Sequence, residues 1–215
     1  MTVESRVMAS RGARRLAALS LAAAAAAALL ASCGGGGSNP LDNPPDVENP
    51  GGTGGQKLSF AYFQRCINPI FLAQLQINQN GVISINTCAA SGCHDNTVGT
   101  GGAFRVVQSA QPVDLSNGAN TPDVIRTTDM YKNYYSAAGE VFISSPAQSR
   151  LLTKPMVNGV LHGGGLIFEN LQDPNARLIQ YWMSRPMPTG QDEFSTAAAN
   201  MFTPPDINTG ACNTQ

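Results

Sequence analysis

The order of apolar and polar positions divides the chain into a few short helices separated by long irregular segments. Between Ser59 and Gln74, Phe60, Phe63, Ile67 and Phe71 recur at spacings of three and four, which puts them on one face of a helix. Pro69 lies inside that pattern and is expected to kink the helix or split it in two. Residues 76–87 are largely polar and contain Asn80-Gly81, a turn signal. There, Ile83 and Ile85 flank Ser84 in a brief alternation that suits a short strand or an extended loop. Phe104, Val106 and Val107 form a small apolar patch, and residues 109–123 look irregular.

The second half repeats this economy. Met130, Tyr131, Tyr134 and Tyr135 form an aromatic stripe with helical spacing, whose ordinary use is core packing. Ser144 to Lys154 reads as a short helix with Pro146 near its start and Pro155 as its stop. Asp173-Pro174 makes an N-cap and first-turn pair for a helix carrying Leu178, Ile179, Tyr181, Trp182 and Met183. Pro186 and Pro188 end it, and one more helical turn is expected near Ala197 to Phe202.

Composition changes this picture mainly at the N-terminus. The chain has 215 residues, of which only 13% are charged, with 22 glycines and 14 prolines. That is enough for one ordinary domain rich in loops. Residues 1–32 read as an export leader: Arg6, Arg11, Arg14 and Arg15 precede an apolar, alanine-rich run from Leu16 to Ala31. The run closes on Leu30-Ala31-Ser32-Cys33, which resembles the lipobox of bacterial lipoproteins. The resemblance implies cleavage before Cys33, lipidation of that cysteine and a lipid membrane as a partner. The alternative is an ordinary secretory signal with a chance cysteine. Residues 33–57 read as a flexible Gly/Pro tether, and residues 58–215 as the folded domain. Gly34 does not supply the acidic residue that would argue for inner-membrane retention, so the outer membrane is the preferred site within the cell envelope. Without the leader, nine basic and thirteen acidic residues remain, a net charge of −4. A mildly acidic domain has no electrostatic footprint for nucleic acid.

The chemistry concentrates in Cys88-Ala89-Ala90-Ser91-Gly92-Cys93-His94. The common covalent heme motif is C-x-x-C-H. Here four small residues separate the cysteines, and such a loop can bulge against a flat macrocycle. Three other readings stand beside it: a local Cys88–Cys93 disulfide, a zinc or copper site, and a structural turn with a fortuitous histidine. Zinc usually needs four protein ligands, and His162 is the one other histidine in the chain. His162, in Val160-Leu161-His162-Gly163-Gly164-Gly165, either caps its loop and packs, or supplies a second iron ligand from a loop whose glycines let backbone approach closely. Cys66 and Cys212 remain as two spare thiols expected to pair outside the cytoplasm, the alternative being a bond from Cys212 to Cys88 or Cys93. No phosphate-cradling glycine loop, GxSxG, HExxH or carboxylate pair occurs.

Two stretches carry a family resemblance. YFQRCINPIF followed by CAASGCHD, and SRLLTKPMVNGVLHGGG followed by LIQYWM, resemble segments of monoheme cytochrome c-like bacterial lipoproteins, similar to planctomycete-type cytochrome c domains. Together they span most of residues 59–187. The CxxxxCH spacing resembles a minority variant of the heme motif, and the polar stretch 75–87 reads as an insertion. The resemblance implies a mostly α, class I-like cytochrome c fold with long irregular loops and room for a short β-hairpin. It implies one covalent heme c, with Cys88 and Cys93 as thioethers, His94 as proximal ligand and His162 as distal ligand. Met156 is the rival sixth ligand, since a thioether also binds c-type iron. The function implied is an electron carrier meeting a protein redox donor or acceptor. A carrier is expected ahead of a catalyst, because no convincing distal acid–base pair accompanies the histidines, and whether the protein is an enzyme stays open. The other readings are a non-heme structural or binding lipoprotein with a Cys88–Cys93 disulfide, and a small peroxidase-like heme enzyme.

Overall fold

A computed structural model describes residues 55–215. The leader, Cys33 and nearly all of the expected tether lie outside the described residues. No helix among the described residues is long and apolar enough to cross a membrane.

The first apolar pattern becomes one uninterrupted helical stretch: α1 (Phe60–Tyr62), a π-helical turn (Phe63–Ile67) and α2 (Asn68–Leu72). Ser59 caps it, its hydroxyl accepting from the Tyr62 N–H at 3.0 Å. Pro69 neither ends nor splits this helix. The chain widens into the π turn just before it, with the Asn68 N–H donating to the Phe63 carbonyl. Phe60, Tyr62, Phe63 and Ile67 are fully buried, so the stretch is the axis of the core rather than a surface helix.

Strands β1 (Leu75–Gln79) and β2 (Val82–Asn86) form an antiparallel hairpin. Asn80 and Gly81 both have positive φ, 54° and 86°, the combination a two-residue type I′ turn requires. The polar segment 76–87 is therefore a strand pair, and it docks: Asn78 bridges to Leu166 with two backbone bonds of 2.8 Å.

Residues 109–123 are not wholly irregular, because Thr121 and Pro122 start a short helix, α3 (Pro122–Arg126). In α4 (Asp129–Ala138) the buried face is Met130, Asn133, Tyr134 and Ala137. Tyr135 turns outward and is 71% exposed, so the aromatic stripe is narrower than the spacing suggested. A 3₁₀ turn (Pro146–Gln148) and α5 (Arg150–Thr153) follow. Next comes α6 (Pro174–Met183), whose cap Asp173 accepts from the Asn175 N–H at 2.8 Å. A further 3₁₀ turn (Thr196–Met201) leads into the strand pair β3 (Phe202–Thr203) and β4 (Ala211–Cys212).

The first helix meets α6 through Phe63 and Trp182, whose ring centroids are 5.4 Å apart. Trp182 is fully buried, and its indole N–H donates to the Ser59 carbonyl at 2.9 Å. Asn133 joins α4 to the same core, donating to Asn68 Oδ1 at 2.9 Å and to the Val107 carbonyl at 3.0 Å. The C-terminal segment is fastened twice. Cys66 and Cys212 form a disulfide across a sequence separation of 146. The buried Glu193 carboxylate accepts from Tyr131 Oη at 2.7 Å and Arg126 Nε at 3.1 Å. Burial pushes the Glu193 carboxyl up, but its own backbone N–H, Tyr131 and Arg126 outweigh it, so the group lies below its ordinary value.

Candidate functional site

A cavity of about 620 Å³ opens beside the end of α2. Its wall includes Cys88, Cys93, His94 and His162.

The motif segment folds by short-range bonds. The Ala89 N–H donates to the Phe71 carbonyl at 3.1 Å, which hangs the segment from the end of α2. The His94 N–H returns to the Cys88 carbonyl at 2.9 Å and the Cys93 N–H to the Ala90 carbonyl at 2.8 Å, so the four intervening residues bulge as a closed turn. Cys88 and Cys93 are free thiols, both half-buried. Burial, and then the neighbouring Cys93, push the Cys88 thiol up to about 12, so it stays protonated at neutral pH.

After His94 the chain is clamped by Asp95, whose Oδ1 accepts from the Val98 N–H, the Thr97 hydroxyl and the Thr97 N–H. These bonds hold its carboxyl down at about 2. Residues 99–102 follow the clamp, and of these Gly101 lies against the imidazole. A Cβ on Gly101 would lie 2.5 Å from His94 Cε1 and Nδ1, closer than real Cβ atoms come, so this position requires glycine.

His94 Nδ1 lies 3.0 Å from the Phe104 carbonyl. A carbonyl only accepts, so Nδ1 carries the proton and the lone pair of the neutral ring is on Nε2. Burial holds the His94 pKa below its ordinary value against that hydrogen bond, helped by the charges of His162, Lys154 and Arg105. His94 therefore stands as a neutral imidazole at pH 7.

His162 repeats the arrangement from the opposite loop, with Nδ1 2.8 Å from the Gly165 carbonyl. Its loop is held by β1. Besides the Asn78–Leu166 pair, Gln79 Nε2 donates to the Gly163 carbonyl at 3.0 Å. Gly165 has φ +79°, and a Cβ there would fall 2.6 Å from the Asn78 carbonyl oxygen. A Cβ on Gly164 would press on His162 Cε1 at 3.0 Å.

The two imidazole rings are nearly parallel, 13° apart, with centroids separated by 6.2 Å. Taking the zinc–imidazole bond of about 2.0–2.1 Å as the scale for iron, and about 1.1 Å from ring nitrogen to centroid, two imidazoles on opposite sides of one ion should have centroids about 6.3 Å apart. The observed spacing matches. Among the described residues no group of three or more His, Cys, Asp or Glu converges on a metal position. Two facing imidazoles suit an ion whose remaining ligands belong to a bound macrocycle.

The charges on the wall also fit such a group. Arg150 and Lys154, one helical turn apart, line the cavity with Glu140, and none of the three forms an ion pair among the described residues. Arg105, next to Phe104 in sequence but not itself on the wall, has its Nη1 buried without a hydrogen-bond partner among the described residues. The excess of cations favours a ligand bearing carboxylates, and heme bears two. Phe71, Ile77, Phe104 and Phe168 supply apolar surface for its ring. Met156 is not on the cavity wall; it packs against the hydrophobic core, and its N–H donates to the Leu152 carbonyl at 3.2 Å.

Several of these parts escape sequence reading. Gly101, the Phe104 carbonyl, the Asp95 clamp and the hairpin all position imidazoles, yet none is a motif residue. The glycine run after the motif and the Asn-Gly turn were the available signals. Comparison with family models, curated proteins and solved structures gives no match.

Proposed function

We propose that the chain is a lipid-anchored, extracytoplasmic monoheme c-type cytochrome that carries single electrons. The observation that carries this reading is the pair of imidazoles, 6.2 Å apart across a cavity whose wall also holds both motif cysteines. A heme supplies one-electron chemistry, with its potential set by axial ligands and burial. The chain supplies the rest. His94 and His162 offer Nε2 lone pairs, each ring oriented through Nδ1 by a backbone carbonyl. Cys88 and Cys93 offer thioether attachment. Gly101 and Gly164 keep side chains away from the imidazoles. Packing of the first helix on α6 through Phe63 and Trp182 supports a class I-like cytochrome c fold as part of the same proposal.

If His94 and His162 both held the heme iron, no position would be left open for a substrate, and the chemistry supplied would be electron transfer rather than peroxidase turnover. Cys33 holds the protein to a membrane of the cell envelope, the outer membrane being preferred. Its partner is a protein redox donor or acceptor met through a small, transient contact.

Intact-mass analysis of the protein, matured in cells able to attach heme, tests the reading. The expected mass lacks residues 1–32 and carries one heme plus acyl chains at Cys33. Cys88→Ser or Cys93→Ser should leave at most one thioether. A mass without heme contradicts the cytochrome, and an unmodified Cys33 contradicts the anchor.

A further inference from the structure

We propose that β2 is a self-association strand, through which two copies of this chain join their hairpins into one four-stranded antiparallel sheet. Ser84 and Asn86 of this strand face the cavity, but Ile83 and Ile85, which carry the inference, are not on its wall, and the inference does not depend on the cofactor.

The hydrogen-bond phase of the hairpin defines the surface. Asn78 spends its backbone N–H and carbonyl on Leu166, on the far side of β1 from β2. Asn78 and its cross-strand neighbour Ile83 are therefore a non-hydrogen-bonded pair of the hairpin. By alternation, the N–H and C=O groups of Ile83 and Ile85 point away from β1, and none has a backbone partner among the described residues. All five residues of β2 are exposed, with Val82 at 69%, Ile83 at 51% and Ile85 at 70%. An apolar strand with a free edge is a template for another strand.

The edge has none of the usual protection. From Gln74 through Thr87 no residue is charged and none is proline. Charge and symmetry choose the occupant. An isologous contact sets each patch against its own copy, so any charge in it would meet its like. This stretch carries none, in a chain that is otherwise mildly acidic. Antiparallel pairing about a two-fold axis at Ser84 sets Ile83 opposite Ile85 of the second copy, apolar on apolar, with both residues exchanging backbone bonds. A two-stranded hairpin is marginal by itself, and pairing brings it to four strands.

Sedimentation velocity of the full chain in detergent tests this. The wild type should sediment as a dimer at concentrations well above a micromolar. Ile85→Lys places charge in the patch and should weaken association at least about tenfold. Ile83→Pro removes only an outward N–H, which an edge strand tolerates, and should do the same. Ile85→Val should remain a dimer. Each variant is read only with the Cys66–Cys212 bond intact and the far-ultraviolet circular dichroism unchanged, so loss of fold is not mistaken for loss of contact. A monomeric wild type overturns the proposal, including the case in which β2 pairs with a strand of a different protein. Lysine and proline variants that both stay dimeric overturn it as well.

Discussion

The two walls of the cavity present the same chemistry by different means. On the proximal wall, His94 is held by bonds among neighbours: Cys88 to His94, Ala90 to Cys93, and the Gly101 N–H to the Cys93 carbonyl at 2.7 Å. On the distal wall, His162 caps its own turn, but the turn hangs from β1, with Gln79 and Gly163 separated by 84 positions in sequence. A ligand held locally is carried by a motif. A ligand held by a distant strand exists only once the fold has formed. The distal side should accordingly be the easier of the two to displace without losing the protein.

The largest expected effect falls on neither wall. Replacing Cys66 and Cys212 together by Ser releases a long loop and should cost about 4 kcal/mol of stability, read from denaturant unfolding. Both walls should weaken together, which sets the baseline for the local changes. Gly101→Ala comes next, at about 3 kcal/mol, because the new methyl meets the His94 ring with backbone behind it. Gly92→Ala, with open space around its Cβ, should be close to neutral. Equal effects of the two would remove the claim that the Gly101 loop is pressed against the proximal imidazole.

Gly165→Ala should cost about 2 kcal/mol, from positive φ and the contact with Asn78. Its signature is selective. Heme attached at Cys88 and Cys93 should persist while the ferric spectrum gains a high-spin fraction as His162 is displaced. Loss of attachment instead would show that the walls are not separable.

The smallest effect is in the pH profile. The Glu193 pKa is lowered in the folded protein, so its contribution is complete above the unfolded carboxyl value of about 4.3. It is lost as pH falls through the lower folded value. Glu193→Gln should flatten the acid limb of the stability curve below that pH and leave the iron spectrum unchanged. An unaltered acid limb would mean that the contacts to Arg126 and Tyr131 do not carry the tail.

What could be read in advance follows the same division. The first helix, α4 and α6 are legible because their apolar spacing is local, as is the Asp173 cap of α6. The motif cysteines and His94 stand out because they lie within one short stretch of sequence, and the structure places all three on the cavity wall. The role of the 76–87 segment was hidden. Its Asn-Gly turn is visible, but nothing in a polar stretch says that Asn78 will pair with Leu166. The irregular reading of residues 109–123 failed only at Pro122 and Asp123, the start of α3, where a Thr-Pro start has too little apolar pattern after it to be noticed. Tyr135 was misplaced because adjacent aromatics cannot share one helical face. Met156 and His162 were rivals because proximity in sequence says nothing about which wall a side chain reaches.

The central claim is that His94 and His162 share one iron. Near-infrared magnetic circular dichroism of the ferric protein tests it most directly, because bis-imidazole and imidazole–thioether pairs give distinct charge-transfer bands. The protein should show the bis-imidazole band. His162→Ala should abolish it and give high-spin iron, and Met156→Ala should leave it unchanged. If Met156→Ala converts the iron to high spin while His162→Ala has no effect, the facing imidazoles are not the ligand pair and the account is wrong.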